Sequence, residues 1–324
     1  MSQKSKVLIV GCGAVGTMCA FTVQKSGTAT VTAILRSNFD AVNAQGFYID
    51  SIDHGTISNW KPHSIVRNIE DAVQHGPFDF VLVAMKNLPD VYSIPDIIRP
   101  VVTPIVTSIV LVQNGIAIEQ PFLDAFPKNT LLSGVAMIGC ELNGRDVLHN
   151  DPDILYIAPF LNPQLPEADQ HDACRKFAGM YESGGAKCPV VEDIVWSRWR
   201  KLVWNASFNT VCALTNLDSG RVQDAGCVDT LIRPAMAEIV AIAKAANYTL
   251  PPDILDQMVA FTPKEVYAKP SMQVDAIRGR PMEIEVILGN PLRTAEELGV
   301  EAPTLSILYK LLKARQWAFR NLQG

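Results

Sequence analysis

Lys6-Val7-Leu8-Ile9-Val10-Gly11-Cys12-Gly13-Ala14-Val15-Gly16 is the stretch that decides the fold class of this chain. Residues 6–10 form a continuous apolar run, rich in β-branched side chains, which is typical of a central strand in a parallel sheet. The run leads directly into a GxGxxG motif, and residues 17–23 continue with the composition of a helix. This strand–turn–helix order predicts a Rossmann-type dinucleotide-binding domain of the α/β class.

Each glycine of the motif has a physical role in the binding of a pyrophosphate. Gly11 permits the tight turn, Gly13 lets the backbone approach the ligand, and Gly16 lets the helix pack closely on the strand. The N-terminus of the helix supplies amide donors and a favourable dipole. The predicted cofactor-binding loop therefore consists of Gly11, Cys12, Gly13, Ala14, Val15 and Gly16.

The residue that follows the second predicted strand bears on the choice of cofactor. Residues 29–35 form that strand, and Arg36 comes next, twenty positions after Gly16. Enzymes that use NAD usually carry an acidic residue near this place, where it binds the ribose 2′-hydroxyl. A guanidinium attracts a 2′-phosphate instead, so the sequence favours NADP (NADPH). The alternative is a solvated loop arginine.

Two more predicted strands are each followed by polar residues, at the edge of the sheet where open α/β folds bind ligands. Residues 79–85 precede Lys86, and residues 106–112 precede Gln113-Asn114-Gly115. The Asn-Gly pair is also compatible with a simple turn, but its place at the end of a strand favours a role near the cofactor. Further strands are expected at 131–138 and 154–158, with a turn at Asn143-Gly144.

From about residue 192 the apolar spacing becomes helical. The segments 194–214, 230–246 and 302–319 show this spacing and strand signals are nearly absent. We therefore expect two domains, a dinucleotide-binding domain over 1–191 and an all-helical domain over 192–324, which would carry the substrate and the catalytic residues.

Three polar residues interrupt the first of these helical segments. Lys201, Asn205 and Asn209 recur at four-residue steps, which on a helix places them along one face. Burial of a lysine and two amides is unfavourable unless each finds a partner or a ligand, so the stripe indicates a binding site. The alternative is an amphipathic surface helix with all three groups in water.

Composition excludes several classes of function. The chain has 324 residues, 48% hydrophobic and 19% charged, and a net charge of −5. No basic run is present, which argues against a nucleic-acid or anionic-membrane partner. No apolar run reaches the roughly 18 residues of a membrane span. Seven scattered cysteines without a CxxC pair favour free thiols over disulfides or a metal site, so we expect a cytoplasmic protein without a metal.

The motifs, taken in order, resemble those of the ketopantoate reductases (2-dehydropantoate 2-reductases) over nearly the whole chain. They are GCGAVG at 11–16, Lys86, Gln113-Asn114-Gly115, the helix with Lys201, Asn205 and Asn209, the segment from Ser271 to Asp275, and Gly279-Arg280 followed by Glu283. The resemblance implies an NADPH-dependent reduction of a 2-oxo acid, ketopantoate to pantoate, in pantothenate biosynthesis.

The resemblance also assigns roles to residues. Lys201 would be the catalytic lysine and general acid, and Glu283 the catalytic acid. The substrate contacts would come from Asn205, Asn209 and Ser271, and the cofactor contacts from Asn114 near the nicotinamide and from Arg36 with Lys86 at the adenosine 2′-phosphate.

The chemistry of ketone reduction agrees with these roles. A protonated Lys201 polarises the carbonyl oxygen, stabilises the developing alkoxide and supplies the proton. A carboxylate nearby, such as Glu283, keeps the lysine charged and oriented. The alternative for Glu283 is a purely local effect, because acids are favoured near helix N-termini and Pro281 suits a first turn.

Four departures from the family pattern bear on the substrate. Ala268 replaces a common Asn, the segment after Ser271 reads Met-Gln-Val-Asp, Glu285 replaces an Asp, and Leu288 replaces an Asn. A lost hydrogen-bond donor can change specificity strongly. Two other functions therefore remain open: a related NAD(P)-dependent dehydrogenase of another 2-oxo or 3-hydroxy acid, and a non-catalytic NADPH-sensing module. An apolar helical domain is also compatible with a homodimer.

Overall fold

The computed structural model describes residues 3–322, and the chain forms two compact units. The sheet unit comprises Met1–Lys86, Ser93–Gln113 and Glu119–Ile194. The helical unit comprises Val195–Gly324 together with two short segments from the N-terminal half, Asn87–Tyr92 and Asn114–Ile118. The assignment of cofactor and substrate roles to residues 1–191 and 192–324 stays a prediction.

A sheet of nine strands organises the described part of the sheet unit. The strands are β1 (Ser5–Val10), β2 (Ala29–Ile34), β3 (Phe47–Ser51), β4 (Gly55–Trp60), β5 (Ser64–Val66), β6 (Phe80–Val83), β7 (Ser108–Leu111), β8 (Leu131–Asn143) and β9 (Asp146–Pro159). Their order across the sheet is β4-β3-β9-β8-β7-β6-β1-β2-β5. Six consecutive strands in this order, β8, β7, β6, β1, β2 and β5, are parallel to one another. Two pairs are antiparallel, β8 with β9 and β3 with β4.

The central strands are those that the apolar runs predicted. Val7, Leu8 and Ile9 of β1 are fully buried, as a parallel strand covered on both faces requires. The predicted turn is confirmed at the tip of the β8–β9 hairpin, where Gly144 has φ +61° and Asn143 pairs with Asp146. The α/β prediction is confirmed.

Three strands lacked a sequence signal strong enough to predict them. Residues 47–51 alternate between buried and exposed positions, β4 is mostly exposed at the edge of the sheet, and β5 has only three residues. None of them forms a continuous apolar run, because none is buried on both faces. The sequence-based strand assignment therefore found the centre of the sheet and missed strands at both of its edges, β3 and β4 at one and β5 at the other.

Helices connect strands of the sheet unit and form the whole of the regular structure described in residues 195–322. They are α1 (Ala14–Lys25), α2 (Phe39–Gln45), α3 (Ile69–Val73), α4 (Ile94–Ile98), α5 (Gln120–Ala125), α6 (Glu167–Ser183), α7 (Ile194–Trp204), α8 (Thr210–Thr215), α9 (Ser219–Asp224), α10 (Arg233–Ala245), α11 (Ile254–Ala260), α12 (Ser271–Ile277), α13 (Asn290–Leu298) and α14 (Pro303–Asn321). Short 3₁₀ segments lie at Arg99–Val101 and Lys264–Val266. Among the described residues, each helix is too short or too polar to cross a bilayer.

Three π-helical segments interrupt this helical pattern. Asn205–Asn209 joins α7 to α8, Val228–Ile232 precedes α10, and Glu285–Gly289 precedes α13. The predicted helix over 194–214 is thus continuous from α7 to α8 but contains a wider turn in its middle. Such turns are rare and often lie at functional sites.

Asp153 of β9 is a buried acid within the sheet unit. Its side chain is 2% exposed, and Tyr181 of α6 donates a hydrogen bond of 2.7 Å to its Oδ2. Burial raises the pKa of Asp153 to about 6, with a further increase from the charge of Asp53, although the Tyr181 bond opposes the shift. The native state therefore holds a proton on Asp153 that the unfolded state releases near its ordinary pKa of 3.8.

This difference predicts a pH dependence of stability. The stabilisation from the neutral carboxyl is complete below about pH 4 and is lost as the pH rises through about 6, with a total change of ~3 kcal/mol. The side chain of Asp153→Asn does not ionise, so this variant should not lose stability for that reason. As the pH rises from about 4 to about 6, its free energy of unfolding should therefore increase by that amount relative to the free energy of unfolding of the wild type. Urea unfolding of both proteins across this range measures the difference, and a difference independent of pH would contradict the prediction.

Candidate active site

The glycine loop of the sheet unit has the geometry that pyrophosphate binding needs. Gly11 has φ +100°, and a Cβ atom at this position would overlap the backbone nitrogen of Met85. At Gly16 a Cβ would overlap the carbonyl oxygen of Gly11. At Gly13 a Cβ would meet no atom within 4 Å. Close packing therefore requires glycine at positions 11 and 16, whereas Gly13 leaves open space beside the backbone.

The first turn of α1 is electrostatically suited to an anion. The helix begins at Ala14, and its first backbone bond runs from the Thr17 amide to the Gly13 carbonyl at 2.9 Å. The amides before Thr17 have no partner within the helix, and the first turn contains no acidic residue. Burial raises the pKa of the neighbouring Cys12 thiol to about 12, so this group is neutral.

Two arginines follow neighbouring parallel strands at the same edge of the sheet. β2 pairs with β5 in a register that aligns Ile34 with Val66, and Arg36 and Arg67 follow shortly after these residues. The Arg36 side chain is exposed, and within residues 3–322 it has no hydrogen-bond or ion-pair partner. Arg67 forms an ion pair with Asp40. Its guanidinium carbon lies 4.0 Å from the ring centroid of Phe39. Arg67 was not identified as a candidate from the sequence, because the strand before it, β5, was not predicted.

The ends of β6 and β7 carry the other polar residues predicted near the cofactor. Lys86 lies three positions after Val83, the last residue of β6, and is partly buried. Gln113 Nε2 donates a 2.6 Å hydrogen bond to the carbonyl oxygen of Met85. This bond joins the two strand ends and fixes the chain just before Asn114.

In the helical unit, a chain of hydrogen bonds connects the predicted catalytic residues. Lys201 Nζ donates to Asn114 Oδ1 at 3.0 Å, and Asn114 Nδ2 donates to Glu283 Oε2 at 3.2 Å. The backbone amide of Asn87 donates to the other carboxylate oxygen, Oε1, at 2.9 Å. A cation and a carboxylate are thus held by one amide side chain, and all three side chains are partly buried.

The segment that carries Asn114 is fixed by hydrogen bonds to the rest of the helical unit. Arg198, which is 3% exposed, donates from Nη1 to the Gly115 carbonyl at 3.1 Å. The amide of Ile116 donates to the Val286 carbonyl at 3.1 Å. Gly115 has φ +98°, and a Cβ there would lie 2.5 Å from the Cβ of Val286. The Asn-Gly pair is therefore part of a closely packed turn, because only glycine allows this close approach, and its role near the cofactor stays a prediction.

Glu283 lies just before a helix rather than within its first turn. The helix begins at Ile284, and the Glu283 carbonyl accepts the Ile287 amide at 3.2 Å. The expectation that Pro281 and Glu283 lie in the first turn of a helix is thus wrong, since both residues precede the helix. Both carboxylate oxygens accept hydrogen bonds from other segments, so the role of Glu283 is not limited to the dipole of its own helix.

The polar stripe of the α7–α8 helix is buried. Asn205 is 4% exposed and Asn209 is 1% exposed, while Lys201 is partly buried. Asn209 Oδ1 accepts the Met272 amide at 2.9 Å, and its Nδ2 lies 3.4 Å from Ser271 Oγ as a donor. The alternative of a stripe in water is therefore wrong for both asparagines. Asn209 instead holds the N-terminus of α12, where Ser271 is located.

Two family models match the chain. The ketopantoate reductase PanE/ApbA model matches residues 7–162, and the corresponding C-terminal model matches residues 193–316. The chain belongs to the ketopantoate reductase family. The resemblance inferred from the motifs is confirmed, and the protein is a member of a family of oxidoreductases.

Individual relatives extend over nearly the full chain. An uncharacterized protein of Saccharomyces cerevisiae is 36% identical over 345 residues, covering 99% of this chain and 96% of that one. The 2-dehydropantoate 2-reductase of Nostoc sp. is 28% identical over 314 residues, covering 96% and 95%. The crystal structure of 2-dehydropantoate 2-reductase from Methylococcus capsulatus has a TM-score of 0.81 and 31% identity, covering 97% of each chain.

Sequence reasoning assigned no role to two residues that support the hydrogen-bond chain. Asn87 acts through its backbone amide, which has no signature in the sequence. Arg198 acts on a carbonyl of the Asn114–Ile118 segment, and a lone arginine on a helix is normally a solvated charge. The nearest available signal was the position of Asn87 directly after Lys86 at the end of a strand.

Proposed function

We propose that this protein is an NADPH-dependent reductase of a 2-oxo acid, and that the acid is ketopantoate, reduced to pantoate. The observation that carries the proposal is the hydrogen-bonded chain from Lys201 through Asn114 to Glu283. A ketone reductase needs a cationic donor beside the carbonyl oxygen and a group that keeps the donor oriented. Membership in the ketopantoate reductase family supports this choice of chemistry.

Lys201 is the general acid in this proposal. An ammonium has three N–H donors, so Lys201 can donate to Asn114 and to the carbonyl oxygen of a substrate. When bound, NADPH supplies the hydride for the carbonyl carbon. Lys201 then stabilises the alkoxide and transfers its proton to it, while Glu283, through Asn114, maintains the orientation of the lysine.

The substrate contacts come from the buried stripe and from α12. Asn205 and the hydroxyl of Ser271 are suited to hydrogen bonds with a carboxylate or a hydroxyl group. Asn209 acts on the substrate mainly by placing Ser271, because both the oxygen and the nitrogen of its side-chain amide already contact α12. Ala268 is exposed and its side chain has no donor, which favours the second candidate, a reductase of a different 2-oxo acid. The homodimer and the cytoplasmic location stay predictions.

The cofactor site is formed by the glycine loop, with Arg36 and Lys86 at the adenosine 2′-phosphate. The open space at Gly13 and the donors of α1 fit a pyrophosphate. The exposed guanidinium of Arg36 fits the additional phosphate of NADPH. Arg67 lies at the end of the adjacent strand, where Asp40 balances its charge.

Arg36→Ala is expected to weaken NADPH binding by about tenfold or more and to leave NADH binding unchanged. The reason is that a charge-assisted hydrogen bond to phosphate contributes ~1.5–3 kcal/mol, and NADH lacks the 2′-phosphate. Titrations of both cofactors by fluorescence measure the effect, with Arg175→Ala on α6 as an exposed arginine control. Equal losses for NADPH and NADH would contradict the role of Arg36.

The substrate is tested by NADPH oxidation with ketopantoate and with a panel of other 2-oxo acids. Efficient turnover of ketopantoate is the expected result. Preferred turnover of another 2-oxo acid would favour the second candidate and keep the mechanism. NADPH binding without turnover of any ketone would overturn the proposal and favour a sensing module.

A further inference from the structure

Lys313 of α14 contacts two acidic side chains in the helical unit. Its Nζ donates a 2.8 Å hydrogen bond to Glu285 Oε1 and lies 3.6 Å from Asp90 Oδ2. Glu285 follows Glu283 by two positions, and Asp90 follows Asn87 by three. One ammonium group therefore touches both of the segments that the Asn87–Glu283 hydrogen bond connects.

The contact between Lys313 and Glu285 is a short hydrogen bond between two charged groups. The Glu285 side chain is 11% exposed, and it also accepts hydrogen bonds from Tyr309 Oη at 2.8 Å and Arg293 Nη1 at 3.2 Å. Burial opposes ionisation of Glu285, but the three donors more than offset it and hold the pKa below its ordinary value. The hydrogen bond to Glu285 raises the pKa of Lys313 despite partial burial. The pair is therefore charged at neutral pH.

The contact with Asp90 is longer and mainly electrostatic. The Asp90 side chain is 23% exposed, and Arg320 Nη2 lies 3.8 Å from the same Oδ2. The segment itself is a compact turn, in which the amides of Val91 and Tyr92 both donate to the Leu88 carbonyl. Because Leu88 is 5% exposed, the turn is anchored at its start, and attraction from α14 holds its tip.

We propose that Lys313 is a positioning residue for Glu283. It holds the Asn87–Tyr92 segment and the start of the Glu285–Gly289 helix together, so that the Asn87 amide stays within hydrogen-bond distance of the Glu283 carboxylate. Lys313 acts through Glu283 and does not contact the reacting groups. The catalytic part of this inference rests on the proposed function, whereas the structural part does not.

Hydrogen exchange of the Asn87 amide, followed by NMR, tests the structural part without turnover. In Lys313→Met, which keeps most of the side-chain length and removes the charge, exchange should be about tenfold faster. Lys313→Arg should restore protection. Lys310→Met, on the same helix with an exposed side chain, should exchange like wild type. Unchanged exchange in Lys313→Met would overturn the inference.

A double-mutant cycle on kcat tests the catalytic part. Lys313→Met should lower kcat for the 2-oxo acid about tenfold and leave the KM for NADPH unchanged, and Lys310→Met should change neither. In the Glu283→Gln background, Lys313→Met should cause no further loss, because its effect passes through Glu283. Independent, additive losses of kcat from the two substitutions would overturn the catalytic part of the inference. If the wild-type protein reduces no 2-oxo acid, the proposed function fails, and the exchange measurement still decides the structural part.

Discussion

Lys201→Ala is expected to lower kcat about 10³-fold, within the range of general acid catalysis by a positioned side chain. The substitution removes both the proton donor and the cation that stabilises the alkoxide. It also removes the donor to Asn114 Oδ1, so the orientation of the remaining polar groups is weakened. Steady-state NADPH oxidation with the preferred 2-oxo acid measures the change.

Two controls make the Lys201 result specific. Lys244→Ala changes an exposed lysine on α10 and should leave kcat unchanged. NADPH affinity of Lys201→Ala should stay close to that of wild type, since the glycine loop belongs to the sheet unit. A Lys201→Ala enzyme with kcat within about threefold of wild type, a difference of less than 1 kcal/mol in activation free energy, would exclude Lys201 as the general acid.

Gly11→Ala is expected to abolish NADPH binding and to lower the free energy of unfolding by about 3 kcal/mol or more. A non-glycine residue at φ +100° is strained, at ~1–3 kcal/mol. The added Cβ also overlaps the backbone at Met85, and overpacking of this kind adds ~1–3 kcal/mol. Denaturant unfolding and a cofactor titration measure the two effects separately.

Gly13→Ala is the matched comparison, because it separates cofactor binding from stability. Gly13 has φ −75° and ψ −164°, which alanine can adopt, and the new Cβ would meet no atom within 4 Å. Stability should therefore change by less than about 0.5 kcal/mol, while NADPH binding weakens because the methyl group occupies the space beside the loop. Normal NADPH binding by Gly13→Ala would show that the pyrophosphate lies elsewhere.

Local patterns were sufficient to predict the fold class. The apolar run at residues 6–10 and the adjoining GxGxxG motif define a buried strand, a tight turn and a helix within one short stretch, so no distant contact is needed to recognise them. The helical spacing of 194–214 predicted the α7–α8 helix for the same reason. The π turn at Asn205–Asn209 was not predictable, since apolar spacing does not distinguish it from an ordinary helical turn.

The sequence by itself therefore determined the α/β class and identified a candidate phosphate-binding loop and the candidate residues Lys201 and Glu283. Only the tertiary structure decided how these residues are connected. Asn114 is 87 positions from Lys201 and 169 from Glu283, and Asn87 is 196 from Glu283. Hydrogen bonds across such separations form only where packing brings the segments together, and side-chain periodicity reports burial on one element at a time. The residues that orient the site, including a backbone amide, are thus a property of the packed chain.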